Sequence, residues 1–172
     1  MFARLIKQGH NVHIAYETSG CIAVGDENLQ YFLDFTKGLS ALHCQKANEN
    51  ALNAINKAFA NLSQRDILDL KALIRRGEAT AADRFMGLKE DHIHFLNLPF
   101  YETGTIKKND LSQTDVDIVK KLLMDIKPQE IFAAGDLADP HGTHKVCLDA
   151  VLAAIDELKD TEEWLKNCRI WM

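Results

Sequence analysis

The chain has 172 residues, 47% hydrophobic and 26% charged, with a formal net charge of −5. That is one ordinary domain with a core of its own. No basic stripe offers itself to nucleic acid, and no apolar run approaches the ~20 residues of a membrane span.

Four cysteines, Cys21, Cys44, Cys147 and Cys168, are widely spaced with no C-x-x-C pair. They read as reduced, mostly buried thiols of a cytoplasmic protein. The opening "MFARLIKQGH" carries charges at short intervals and no cleavage-site pattern, so it is not a secretion signal.

Residues 2–8 have the spacing of an amphipathic helix, with Phe2, Leu5 and Ile6 on one face and Gly9 where a C-terminal cap belongs. "NVHIAYET" (11–18) alternates and is rich in β-formers, which predicts a strand, followed by the glycine-punctuated loop "SGCIAVGDEN". Residues 27–38 and roughly 43–61 read as helices. Ser63 opens a long helical stretch that Gly77 interrupts and Gly87 caps, which predicts two helices in near succession. "HIHFLNLPFY" (92–101) is a strand running into a loop at Pro99.

Ser112 can cap the helix "QTDVDIVKKLLMDI", which stops before Pro128. "QEIFAAG" has no polar residue after Glu130, so it reads as a short strand buried on both faces, as parallel strands are. A helix from about Lys145 to Leu158, a final helix "TEEWLKN" and a strand at "CRIWM" complete the order. The fold class is α/β, Rossmann-like and three-layered, with a mostly parallel sheet. The start lies inside a βαβ unit and the finish at an apolar strand, so the expectation is a single domain, 1–172, truncated at both ends.

The candidate chemistry lies in "AGDLADPHGTHKV", directly after the strand "EIFAAG". Open parallel sheets bind ligands at the C-terminal ends of their strands. His141 and His144 stand three apart at a loop-to-helix junction, where residues so spaced share a helix face. Imidazole and carboxylate together suit zinc, and Asp139 or Asp136 can accept the second imidazole N–H. The spacing fits equally well two solvated histidines at a helix start. His10, His13, His43, His92 and His94 read as exposed or structural.

"PQEIFAAGDLADPHGTHKVCLDAV" resembles the histidine motif of the LmbE-like zinc deacetylases, the group that includes the GlcNAc-phosphatidylinositol de-N-acetylases (PIG-L). Three further stretches, "KQGHNVHIAYETSG", "IRRGEATAADRFMGL" and "FLNLPFY", fit in order. The likeness is greatest to the branch fused behind a glucosamine-6-phosphate deaminase-like domain.

The family motif is H-P-D-H, and the resemblance implies His141 as general acid or electrostatic stabiliser and His144 as a zinc ligand. Gly142 and Thr143 stand where proline and aspartate are usual. The family's other two ligands and its general-base aspartate come from an H-P-D-D motif, and no such string occurs in the 172 residues. The resemblance also implies Arg76 as an arginine facing a sugar or phosphate, against the alternative of an amphipathic helix with Arg75, Arg76 and Glu78 solvated. Ser19 and Gly20 would lie at the same sheet edge, where their backbone N–H groups can meet the ligand, and Tyr101 is either a pocket wall or a plain loop aromatic.

The expected function is zinc-dependent N-deacetylation of an N-acetylated amino sugar or conjugate, inactive in this chain alone. In the complete domain, zinc would polarise the acetyl carbonyl and activate water. The expected partners are an amino sugar or sugar phosphate and a fused or associated sugar-phosphate deaminase domain, with a homo-oligomer open, and neither nucleic acid nor membrane. The alternative is a non-catalytic sugar-binding or regulatory module attached to such an enzyme. A third reading is an unrelated α/β protein whose histidines only begin a helix.

Overall fold

A computed structural model describes residues 1–44, 57, 60–105, 107–134, 138 and 140–172. Its contacts divide into two compact units, residues 1–13 with 19–93, and residues 14–18 with 94–172.

In the first unit, helix α1 (Phe2–Lys7) ends where Gly9 turns left-handed at φ 84°, as its glycine predicts. Helix α2 (Asp26–Cys44) runs through Gly38, where the sequence suggests an end. An interior glycine costs only about 1 kcal/mol, which a helix of this length absorbs. The helix expected over 43–61 falls mostly outside the described residues.

Helix α3 (Gln64–Met86) is one helix of 23 residues, not two. Gly77 is absorbed in its middle, with open space where a Cβ would stand. Its start is a capping box in which Ser63 and Asp66 satisfy each other's backbone N–H, and its end is Gly87 at φ 86°. The Lys71 ammonium reaches Asp26 at 2.6 Å and ties α3 to the head of α2.

In the second unit the strands are short. Strand β1 (Ile14–Tyr16) covers less than the predicted 11–18. The Val12 carbonyl meets the His92 ring at 3.0 Å, so a side chain takes up a group a longer ladder would use. Strand β1 pairs with β2 (Ile93–Phe95), and Tyr16 stacks on Phe95 with centroids 5.3 Å apart. Past the strand ends, Leu96 and Leu98 donate to the carbonyls of Tyr16 and Glu17 at 2.9 and 2.8 Å.

Helix α4 (Gln113–Ile126) begins as predicted, with Ser112 and Asp115 forming a capping box. Asp115 is fully buried, and its other oxygen accepts the Phe100 N–H at 2.9 Å, which pins the β2–α4 loop to the helix. Strand β3 (Glu130–Phe132) pairs in parallel with β4 (Arg169–Trp171), Ile131 opposite Ile170. The expectation of a strand buried on both faces is not met, since Glu130 and Phe132 are exposed. Among the described residues β3 has β4 as its ladder partner and no third strand beside it. The expected last helix is the five-residue 3₁₀ turn Glu163–Asn167.

Helix α5 (Thr143–Leu158) packs on α4 through Val116, Val119, Leu123, Leu148, Ala154 and Leu158, all buried. Each such side chain contributes on the order of 1–3 kcal/mol of apolar burial. At the rim, Glu157 accepts from Lys120 and Gln113, each at 2.8 Å. The described residues therefore form a mixed α/β structure with a parallel β3–β4 pair. None of their helices is long and apolar enough to cross a membrane.

Candidate functional site

The turn that carries the two histidines is shaped by Gly142. It caps α5 in the left-handed region, at φ 68° and ψ 2°, with nothing within 4 Å of where a Cβ would be. The constraint there is conformational, not spatial. Proline is locked near φ −65° and is incompatible with this geometry.

The departure from H-P-D-H and the shape of the turn are thus one feature. It also changes the helical argument. His141 lies ahead of the cap and outside α5, while His144 is in the first turn, and both are exposed. Their mutual placement is set by the left-handed residue between them, not by a shared helix face. Asp136 and Asp139, expected behind them, lie outside the described residues.

One carboxyl that the sequence reading passed over meets this helix. Glu17 follows β1 directly, and its side chain is hydrogen-bonded to the Cys147 thiol of α5. Cys147 is three residues past His144, so the two share a helix face. Burial pushes the Glu17 carboxyl above the usual carboxylate range, and the thiol bond offsets this in part. A charged residue at the end of the β-forming run "HIAYE" is the one sequence signal that pointed to it.

In the first unit, Ser19 and Gly20 form the predicted tight turn. Gly20 is left-handed at φ 67° and leads into the 3₁₀ turn Cys21–Ala23, whose first N–H reaches the Ser19 hydroxyl at 3.4 Å. The arginine against this turn is Arg75. Its Nε would stand 3.2 Å from a Cβ on residue 20, so a side chain there meets both a strained φ and a tight contact to which Arg75 must yield. Arg75 also pairs with Glu78 at 2.6 Å. Arg76, the residue expected in this role, is exposed on the neighbouring position of α3. Two adjacent arginines on a helix point about 100° apart, and the sequence pattern did not separate them. Tyr101 is buried, with the Lys108 ammonium 4.3 Å over its ring, and belongs to the core.

A zinc centre needs four ligands, three of them from protein in catalytic sites. Among the described residues no three His, Cys, Asp or Glu side chains gather to hold a metal ion. The donor set described here does not fit a complete zinc site. Cys21, Cys147 and Cys168 are not joined in disulfides.

The sequence profile of the PIG-L family, GlcNAc-PI de-N-acetylase, matches residues 1–155. A relative from Bacteroides thetaiotaomicron, named as glucosamine-6-phosphate deaminase-like, is 51% identical over 178 aligned positions. The alignment takes in 98% of this chain and 27% of that protein, so the chain spans about a quarter of its relative's length. No solved structure matches. Residues 1–155 include the His141–His144 turn and the Ser19–Gly20 turn, and the chain belongs to the PIG-L family.

Proposed function

We propose that this chain is part of an N-deacetylase, an amide hydrolase acting on an N-acetylated amino sugar or sugar conjugate. The observation that carries the reading is the exposed His141–His144 pair at the head of α5, in a chain whose family match covers both residues. His144 is assigned as the residue this chain contributes to a zinc centre, and His141 as the group that steadies the oxyanion or protonates the leaving amine. In the first unit, Ser19 and Gly20 are assigned to ligand contact with an arginine of α3. The geometry favours Arg75 over Arg76 for it, since Arg75 lies against the turn.

The described residues gather no three-ligand metal group and the 172 residues hold no H-P-D-D string. Residues 1–172 alone are therefore expected to hold zinc weakly and to turn over no substrate. The finer architecture, a three-layered Rossmann-like sheet, belongs to the same proposal.

The test is metal analysis after dialysis, together with acetate release from N-acetylglucosamine derivatives. Stoichiometric zinc and turnover by residues 1–172 would refute the reading of an incomplete site. In residues 1–172, His144→Ala is expected to weaken zinc binding, and unchanged zinc affinity would refute the ligand assignment.

A second reading has one observation in its favour. The left-handed Gly142 excludes the family's proline and leaves Thr143 where an aspartate is usual. A non-catalytic sugar-binding module attached to a deaminase-like enzyme would tolerate this. Sugar binding that neither needs zinc nor depends on His144 would decide for it.

A further inference from the structure

We propose that Glu17 is a ligand-binding carboxyl, the residue of the second unit that recognises a hydroxyl of a carbohydrate. The inference rests on the reading of the ligand as an amino sugar and goes beyond it in naming a recognition group.

The peptide at Glu17 is held in place. Its carbonyl accepts the Leu98 N–H at 2.8 Å, so the side chain leaves from the fixed end of β1 rather than from a free loop. That side chain reaches α5 at Cys147, one turn past His144 on the same face. The C-terminal end of a strand and the first turns of a following helix are where α/β proteins hold their ligands.

Within this position the carboxyl is underused. Among the described residues its hydrogen-bond partner is the Cys147 thiol, a weak donor, whereas a carboxylate has about four acceptor sites. A half-buried carboxyl served by one weak donor costs folding free energy that an apolar side chain would not. Groups placed against stability in this way are characteristic of ligand sites.

The chemistry points to a hydroxyl. A hydroxyl both donates and accepts, and it can pair with a carboxyl in either protonation state.

The experiment measures the affinity of the 172-residue chain for N-acetylglucosamine by NMR titration, with thermal unfolding in parallel. Glu17→Leu is expected to weaken binding about tenfold or more while leaving the melting temperature equal or higher. Glu17→Gln, which still bonds hydroxyls, is expected to stay within about threefold. A structural carboxyl would do the reverse, lowering the melting temperature and sparing affinity, and that result overturns the inference.

If Glu17→Leu does not fold, the Glu17 carboxyl carbon resonance, assigned by its loss in Glu17→Gln, takes its place. It is expected to shift as the sugar is added, and a resonance that stays put overturns the inference. Undiminished binding by Glu17→Leu refutes the role of Glu17 and leaves the amino-sugar reading intact. No binding by the unaltered chain refutes the inference and leaves the amino-sugar reading to the acetate-release test.

Discussion

Asp115→Asn is a near-isosteric change at a fully buried carboxylate, and its cost can be worked from the three donors around it. Oδ1 accepts the Phe100 N–H at 2.9 Å, and Oδ2 accepts the Ser112 N–H at 2.9 Å and the Ser112 hydroxyl. In the amide, the oxygen can keep one of these positions. If it stays on Phe100, the NH2 faces the Ser112 N–H, two donors opposed. The Ser112 hydroxyl can rotate to accept, but the Ser112 N–H is left without an acceptor.

Hydrogen bonds to a charged group contribute about 1.5–3 kcal/mol, and an orphaned donor costs about 1–3 kcal/mol. The two overlap at one site, so the expected loss is about 3 kcal/mol. For a chain of this length that is roughly 6–12 °C in melting temperature. Asp115→Ala orphans all three donors and is expected to cost more.

Thermal unfolding followed by circular dichroism gives the stability. Amide exchange at Phe100 locates it, since protection there is expected to persist in Asp115→Asn and vanish in Asp115→Ala. A loss below about 1 kcal/mol in Asp115→Asn would refute the accounting, because it would mean the Ser112 N–H finds another acceptor without cost.

Gly142→Ala is expected to cost about 1–2 kcal/mol through φ alone, since nothing crowds the position. Gly142→Asn should cost less, and equal stability of all three forms by denaturant titration would refute a left-handed cap. Gly20→Ala meets Arg75 as well as its own φ. Its cost is expected to fall measurably in an Arg75→Ala background, and strict additivity in the double-mutant cycle would show the two do not touch. For Glu17 the folded carboxyl titrates above its unfolded value, so the folded state binds the extra proton and stability falls as pH rises from about 4.5. Glu17→Gln removes that loss. Its stability relative to the unaltered chain is expected to climb through this window and then level off, and a flat difference from pH 4 to 8 would refute the raised carboxyl.

Elements whose signals are local were legible in the sequence. Ser112, the apolar rows of "QTDVDIVKKLLMDI" and Pro128 place α4 at its observed bounds. Gly9 and Gly87 mark helix ends because only a residue tolerant of positive φ closes a helix that way. Gly38 and Gly77 carry the same residue type and end nothing. At Gly77 a penalty of about 1 kcal/mol loses to the apolar row from Leu70 and Ile74 to Ala81, and that packing is not local.

Strand length was overread for a related reason. The alternation of "NVHIAYET" is real, but ladder formation depends on what lies opposite, and at Val12 that is the His92 ring.

The sequence by itself determined the family, the histidine pair after β3 and the glycines that end the first and third helices. Each follows from residues near one another in the chain, where spacing and intrinsic backbone preference act directly. Only the tertiary structure decided which arginine lies against Gly20 and which thiol Glu17 meets. Arg75 and Arg76 have the same chemistry and differ only in rotation about α3, and Glu17 and Cys147 are separated by most of the chain. Contacts of that kind are set when folded elements pack, and side-chain direction at the point of packing leaves no periodicity to read.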